Sequence, residues 1–137
     1  MSEVKTNKLT GTSTAGSILV TGEGNSTTTN LQQGLAKAWV NFTGVSSTAA
    51  RDSFNVSSLT DDGTGRTTVA FSNNMANANY SGSWYNNGSS GGNYNNFSND
   101  YAGGFMPRVT GSYSVYAYGT AAADSFHNDS TIVGDLA

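Results

Sequence analysis

The sequence predicts an all-β fold, an antiparallel β-sandwich carrying an N-terminal β-arm, and three observations carry that expectation. Two β-type runs, Ser53 to Leu59 and Arg66 to Ser72, flank Thr60-Asp61-Asp62-Gly63-Thr64-Gly65, a loop of turn formers and of glycines that accept positive φ. That is a hairpin. Apolar residues recur with period two: Val40 and Phe42 share one side of a run, as do Phe54 with Val56 and Val69 with Phe71, which suits strands half covered by a core. Finally, Gly, Ser, Thr and Asn stand where charges usually do: Asp, Glu, Lys and Arg make up only 11% of the chain, and no long helix-forming run occurs.

Length sets the scale of the core. A chain of 137 residues, 36% of them apolar, suffices for one modest sandwich with an arm. The arm and linker are expected over residues 1–30 and the sandwich, a knob-like domain, over 31–137. Within the arm, a short polar strand ends at Leu9 and a second covers Ser17 to Thr21; both are too short and too polar to bury a core alone, so they pair with neighbouring copies, lie on a partner, or form an ordinary N-terminal hairpin on the domain. Asn25 to Asn30 reads as a polar linker. Asn30 can then cap a short helix with Gln33 at its third position, but Gly34 weakens it, and a two-turn helix or a loop fits equally.

Sandwich strands are expected near 36–42, 51–59, 66–72, 79–85, 108–118 and 130–136. In the first of these Trp39 faces away from Val40 and Phe42 and so calls for a second apolar contact. Residues 73–104 are rich in Asn and Gly and read mostly as loop, with one strand near Asn79 to Tyr85. Six aromatics lie there: Tyr80, Trp84, Tyr85, Tyr94, Phe97 and Tyr101. Rings set among Asn, Asp and Ser suit two uses, clipping a long loop onto the sandwich or covering the apolar face of a sugar whose hydroxyls the amides bind. Further on, Tyr113 and Val115 alternate with Tyr116 and Tyr118, which therefore face a second layer or a neighbouring subunit. Trp39, Tyr116 and Tyr118 are accordingly the candidate subunit contacts.

Catalysis and cofactors find little support. No cysteine is present, His127 is the sole histidine, and Asp61-Asp62 followed by GTGR fails the calcium-loop pattern. There is no G-x-S-x-G elbow, no phosphate loop and no evident pair of carboxylates for glycoside cleavage, so neither a catalytic residue nor a metal or other cofactor is expected. With a formal charge of −3 and six basic residues spread along the chain, no nucleic-acid patch forms. No apolar stretch reaches the roughly 20 residues that cross a bilayer, and no signal-peptide core is present.

One block carries a resemblance. KAWVNF at Lys37 to Phe42, ARDSFNVSS at Ala50 to Ser58, DDGTG at Asp61 to Gly65, TTVAF at Thr67 to Phe71 and NNMANANY at Asn73 to Tyr80 follow one another as in a module that resembles structural proteins of tailed phages infecting marine bacteria. The N-terminal stretch resembles that family's β-arm, and STIVGDLA at Ser130 to Ala137 its usual ending, which implies a complete chain. The resemblance implies a virion protein of the tail-fibre or fibre-tip type, made in the host cytoplasm and displayed on the particle. Such a protein is expected as a homotrimer, its arm docked on other virion proteins and its loops touching host-surface glycan. A capsid decoration, as a head knob or head fibre, is the alternative, because 137 residues build a tip and not a shaft.

Overall fold

The computed structural model describes residues 3–12, 17–87, 94–97, 108–118 and 123–137. It divides into two compact units, Met1–Leu35 and Ala36–Ala137. In the first, β1 (Leu19–Thr21) pairs antiparallel with β2 (Thr28–Asn30), and α1 (Leu31–Gly34) follows directly. The Asn30 side chain accepts the Gln33 amide at 3.1 Å, the expected cap. Two expectations change. Among the described residues no strand forms up to Leu9, whereas the supposed linker supplies β2, whose threonines pair with β1. The Leu31 amide also bonds the Ile18 carbonyl at 2.9 Å, so the helix stays with the hairpin and the unit ends after Leu35 instead of Asn30.

The second unit is a sandwich of two four-stranded antiparallel sheets. Its strands are β3 (Ala36–Thr43), β4 (Ala49–Phe54), β5 (Val56–Gly63), β6 (Arg66–Phe71), β7 (Ser81–Asn86), β8 (Tyr94–Phe97), β9 (Ser112–Tyr118) and β10 (Asn128–Val133). The first sheet runs β4-β3-β10-β7 and the second β5-β6-β9-β8. One apolar cluster lies between them: Val40 and Phe42 of β3 and Ile132 of β10 meet Val69 and Phe71 of β6 and Tyr113 and Val115 of β9. Inside it the Phe71 ring sits 5.4 Å from Tyr113 and 5.7 Å, edge-on, from Tyr80. Tyr113 Oη and Ser130 Oγ, 2.6 Å apart, join the sheets by a buried hydrogen bond. A polar pair inside an apolar layer is tolerated because both atoms are satisfied.

The expected hairpin forms, with β5 reaching Gly63 and β6 starting at Arg66. Asp61 Oδ1 accepts the Gly63 amide at 2.9 Å, and Gly65 takes φ +72. A Cβ on Gly65 would lie 2.5 Å from the Ala117 carbonyl, so the turn needs glycine for both conformation and room.

The main correction concerns the strand expected over 51–59. It is two strands in different sheets, split at Asn55, whose φ of 56 turns the chain out of the first sheet and into the second. Phe54 and Val56 therefore do not share a face: Phe54 is 51% exposed, while Val56 packs against the core. Three further strands shift or appear. β8 arises within the Asn/Gly-rich stretch, β9 begins only after a tight Val109–Ser112 turn, and the closing strand ends at Val133. Gly134 stops it at φ +153, where a Cβ would lie 2.8 Å from that of Tyr80. Leu136 then bridges Met75.

Candidate functional site

The outer face of the first sheet gathers the chemistry that the sequence had scattered. On β3 the inward residues Ala38, Val40 and Phe42 leave Trp39 and Asn41 pointing out. Register then builds two rows across four strands. Phe54, Trp39, Thr131 and Ser83 stand side by side in one, and Asp52, Asn41, Asp129 and Tyr85 in the next.

A bulge opposite Asn41 and Phe42 inserts Arg51 into β4 and swings its side chain along the face. Its Nη1 donates to Asn41 Oδ1 at 3.2 Å, its Nη2 to the Phe126 carbonyl, and Asn41 Nδ2 in turn donates to Asp129 Oδ1. A chain of polar side chains thus crosses β4, β3 and β10, each holding the next in place. Large exposed rings surround it, with Phe54 at one sheet edge, Tyr85, 59% exposed, at the other, and Phe126 beyond the row. Beside Tyr85, Asn87 and His127 continue the β7–β10 ladder: the His127 amide donates to Asn87 Oδ1 at 3.0 Å, and Asn87 Nδ2 lies 3.1 Å from the imidazole Nδ1.

The six aromatics expected to touch host or glycan do not act together. Tyr80 is a correction, since it lies 3% exposed in the core. Its hydroxyl donates to the Ser112 carbonyl at 2.8 Å, with that of Val109 at 3.1 Å, and its own carbonyl takes Arg108 Nη1 at 2.9 Å. Burial pushes the phenol up to about 12, against a smaller opposite pull from the Arg108 guanidinium. Trp84 is a second correction, because its place on the inward parity of β7 packs it half-buried on the core. Its Nε1 and Ser125 Oγ are buried without a hydrogen-bond partner, and both residues line a cavity of about 10 Å3, too small for anything larger than water. Tyr85 is the member that faces solvent. Tyr94 and Phe97 are placed by the path of β8 alone, and Tyr101 lies outside the described residues.

The proposed subunit contacts are also separated. Trp39 lies on the outer face of the first sheet, whereas Tyr116, paired with Arg66 and Asn96, lies on that of the second; Tyr118 is placed by its strand alone. That second face is lined by small hydroxyls, with Thr68 Oγ1 2.6 Å from Asp62 Oδ2 and 2.8 Å from Ser114 Oγ. A shallow depression of about 250 Å3 where β4 gives way to β5 has Ser53, Val56, Ser57 and Leu59 on its wall and neither ring nor charge.

Sequence reasoning missed Asn41, Arg51, Phe54, Phe126 and Asp129 as surface partners. Period two alone puts Asn41 beside Trp39, but only the Asn55 corner turns Phe54 outward, and only the pairing of β10 with β3 brings Asp129 to Asn41. Among the described residues no group of three or more His, Asp or Glu is placed to hold a metal ion, and no helix is long and apolar enough to cross a membrane. Comparison with protein-family models, with curated proteins and with solved structures finds no match to this chain.

Proposed function

We propose that this chain is a non-catalytic structural protein of a tailed-phage virion, of the fibre-tip type, which assembles as a homotrimer, anchors through its N-terminal unit and contacts the host surface with its sandwich. The observation that carries the reading is the contrast between the two units. Among the described residues of Met1–Leu35 none is buried, and a lone two-stranded ribbon is marginal in water, so this unit takes its order from a partner. The sandwich encloses its own core and leaves its outer faces available for contact. An anchor without a core joined to a head with one fits an appendage of the particle, as does the resemblance of Lys37 to Tyr80 to phage structural proteins. In this reading the protein is made in the host cytoplasm and works on the virion, without cofactor, nucleic acid or membrane insertion.

Capsid decoration stays as the second reading because a coreless arm docks on a shell as readily as on a tail. Native mass of the full chain, before and after deletion of residues 1–24, separates the two. A trimer that persists without the arm is the expected result, placing subunit contacts in the sandwich and leaving the arm free to anchor. A monomer or dimer, or a state that changes when the arm is removed, points instead to a capsid-mounted knob.

A further inference from the structure

We infer that the outer face of the first sheet binds an uncharged pyranose oligosaccharide, with Trp39, Phe54 and Tyr85 covering sugar rings and Asn41, Asp129 and Arg51 ordering the polar row between them. The inference rests on the host-contact reading and names the ligand class and the residues. Its starting point is the layout of the face. Protein–protein interfaces place apolar anchors at the centre and charges at the rim. Here the two central strands mix the kinds, with Trp39 beside the polar pair of Asn41 and Asp129, while Phe54 and Tyr85 stand on the edge strands β4 and β7. A second protein docking on this face would have to desolvate the central polar row, at a cost that few apolar contacts offset.

A sugar meets the same layout at lower cost, because its hydroxyls replace the water that the row gives up. Its axial C–H faces are apolar and sit on rings, and its hydroxyls both donate and accept. The polar row is held before any ligand arrives, since Arg51 fixes Asn41 and Asn41 fixes Asp129, so little side-chain freedom is lost on binding. An ionised carboxylate offers about four acceptor sites and Asp129 spends one on Asn41, which leaves acceptors for hydroxyl donors. Strands lie ~4.8 Å apart, so Phe54 and Tyr85, three strand spacings from edge to edge, are separated by about 14 Å across the sheet, the reach of a short oligosaccharide.

Charge decides which sugar. Asp52 and Asp129 place two carboxylates in the row against one guanidinium, and Arg51 already spends one N–H of each Nη, on Asn41 and on the Phe126 carbonyl. Recognition of a carboxylate or phosphate is helped by an excess of positive charge, which this row lacks. Uronic acids, sialic acids and phosphorylated sugars are therefore repelled, and the chain's net charge of −3 adds to the repulsion.

Calorimetric titration of the full chain with mannotetraose, cellotetraose and galactotetraose, with tetragalacturonate as the anionic control, tests the inference. The expected result is binding of at least one neutral tetrasaccharide and none of tetragalacturonate. Tyr85→Ala and Phe54→Ala should each weaken it tenfold or more, while Thr60→Ala on the opposite sheet leaves it unchanged and all three variants melt near the parent temperature. Binding that Tyr85→Ala and Phe54→Ala do not alter would overturn the site while leaving the host-contact reading in place. Absence of binding by all three neutral sugars overturns the ligand class. If the chain then self-associates and those two substitutions abolish it, a second copy covers the face. The native-mass measurement fails or succeeds independently of these titrations, so loss of one conclusion is distinguishable from loss of the other.

Discussion

Asn55 carries the change of sheet. Its side-chain amide donates to the Lys37 carbonyl at 2.9 Å and to the Asn73 carbonyl at 3.1 Å, and its oxygen accepts the Asn73 amide at 2.7 Å. One residue thus ties the start of β3, in the first sheet, to the exit of β6, in the second. Asparagine suits the position because it tolerates a left-handed φ and both donates and accepts at short range. Asn55→Ala removes these bonds and keeps the unfavourable φ, and is expected to cost about 2–4 kcal/mol in urea-induced unfolding. Asn55→Gly relieves the backbone and still loses the bonds, so it should cost less than alanine; equal losses would mean that the φ contributes nothing. Asn55→Asp keeps the acceptor and loses the donor, and should fall between wild type and alanine.

At the scale of elements, the same corner sets which rings are inside. Phe71, in contact with Tyr80 and Tyr113 at the centre of the sandwich, should cost about 3–5 kcal/mol when replaced by alanine. Phe54→Ala, on the outer face, should cost under ~1 kcal/mol, whereas a single strand over 51–59 would have made the two losses alike. This pair also marks how far the fold was legible. The hairpin, the inward parity of Val40, Phe42, Val69, Phe71, Tyr113 and Val115, and the Asn30 cap follow from short-range rules, because alternation and turn chemistry act within a few residues. The Asn55 corner was hidden because Asn-Val in an otherwise unbroken β-type run carries no Gly or Pro to signal it. β8 was hidden because a strand of Tyr and Asn draws its pairing from β9, a long-range contact that composition does not announce. The candidate face was legible only in pieces. Trp39 and Tyr85 stood out as rings, yet their partnership with Asp129 and Arg51 depends on strand order, which pairs β10 with both β3 and β7.

For the whole molecule, the buried phenols make folding stability depend on alkaline pH. Burial raises Tyr80 from 10.0 to about 12 and raises Tyr113 further, the latter against a partial offset from its bond to Ser130. Below pH 10 both tyrosines are protonated in the folded and unfolded chains, and their contribution to stability is fully present. Above pH 10 the unfolded chain releases protons that the folded chain keeps, so it holds fewer, and stability falls as pH rises. Lys37 has the opposite sign: burial lowers its pKa below 10.5, with Asp135 opposing, so the native state loses its proton first and gains relative stability up to about that pH. The two effects oppose each other near pH 10 and separate above it, where the lysine contribution is flat and the tyrosine one keeps growing. Urea unfolding should therefore show a midpoint that changes little from pH 7 to 9.5 and then drops between pH 10 and 12. A two-unit shift is worth about 2.7 kcal/mol, which bounds the share of Tyr80. Tyr80→Phe deletes that share. It should lower stability at pH 7 by about 1 kcal/mol, through loss of the hydroxyl bond to Ser112, and make the alkaline decline shallower, so that the variant and parent curves converge or cross above pH 11. Curves that stay parallel through pH 12 would show that the Tyr80 phenol ionises alike in the folded and unfolded chains, and would remove it from the sandwich core.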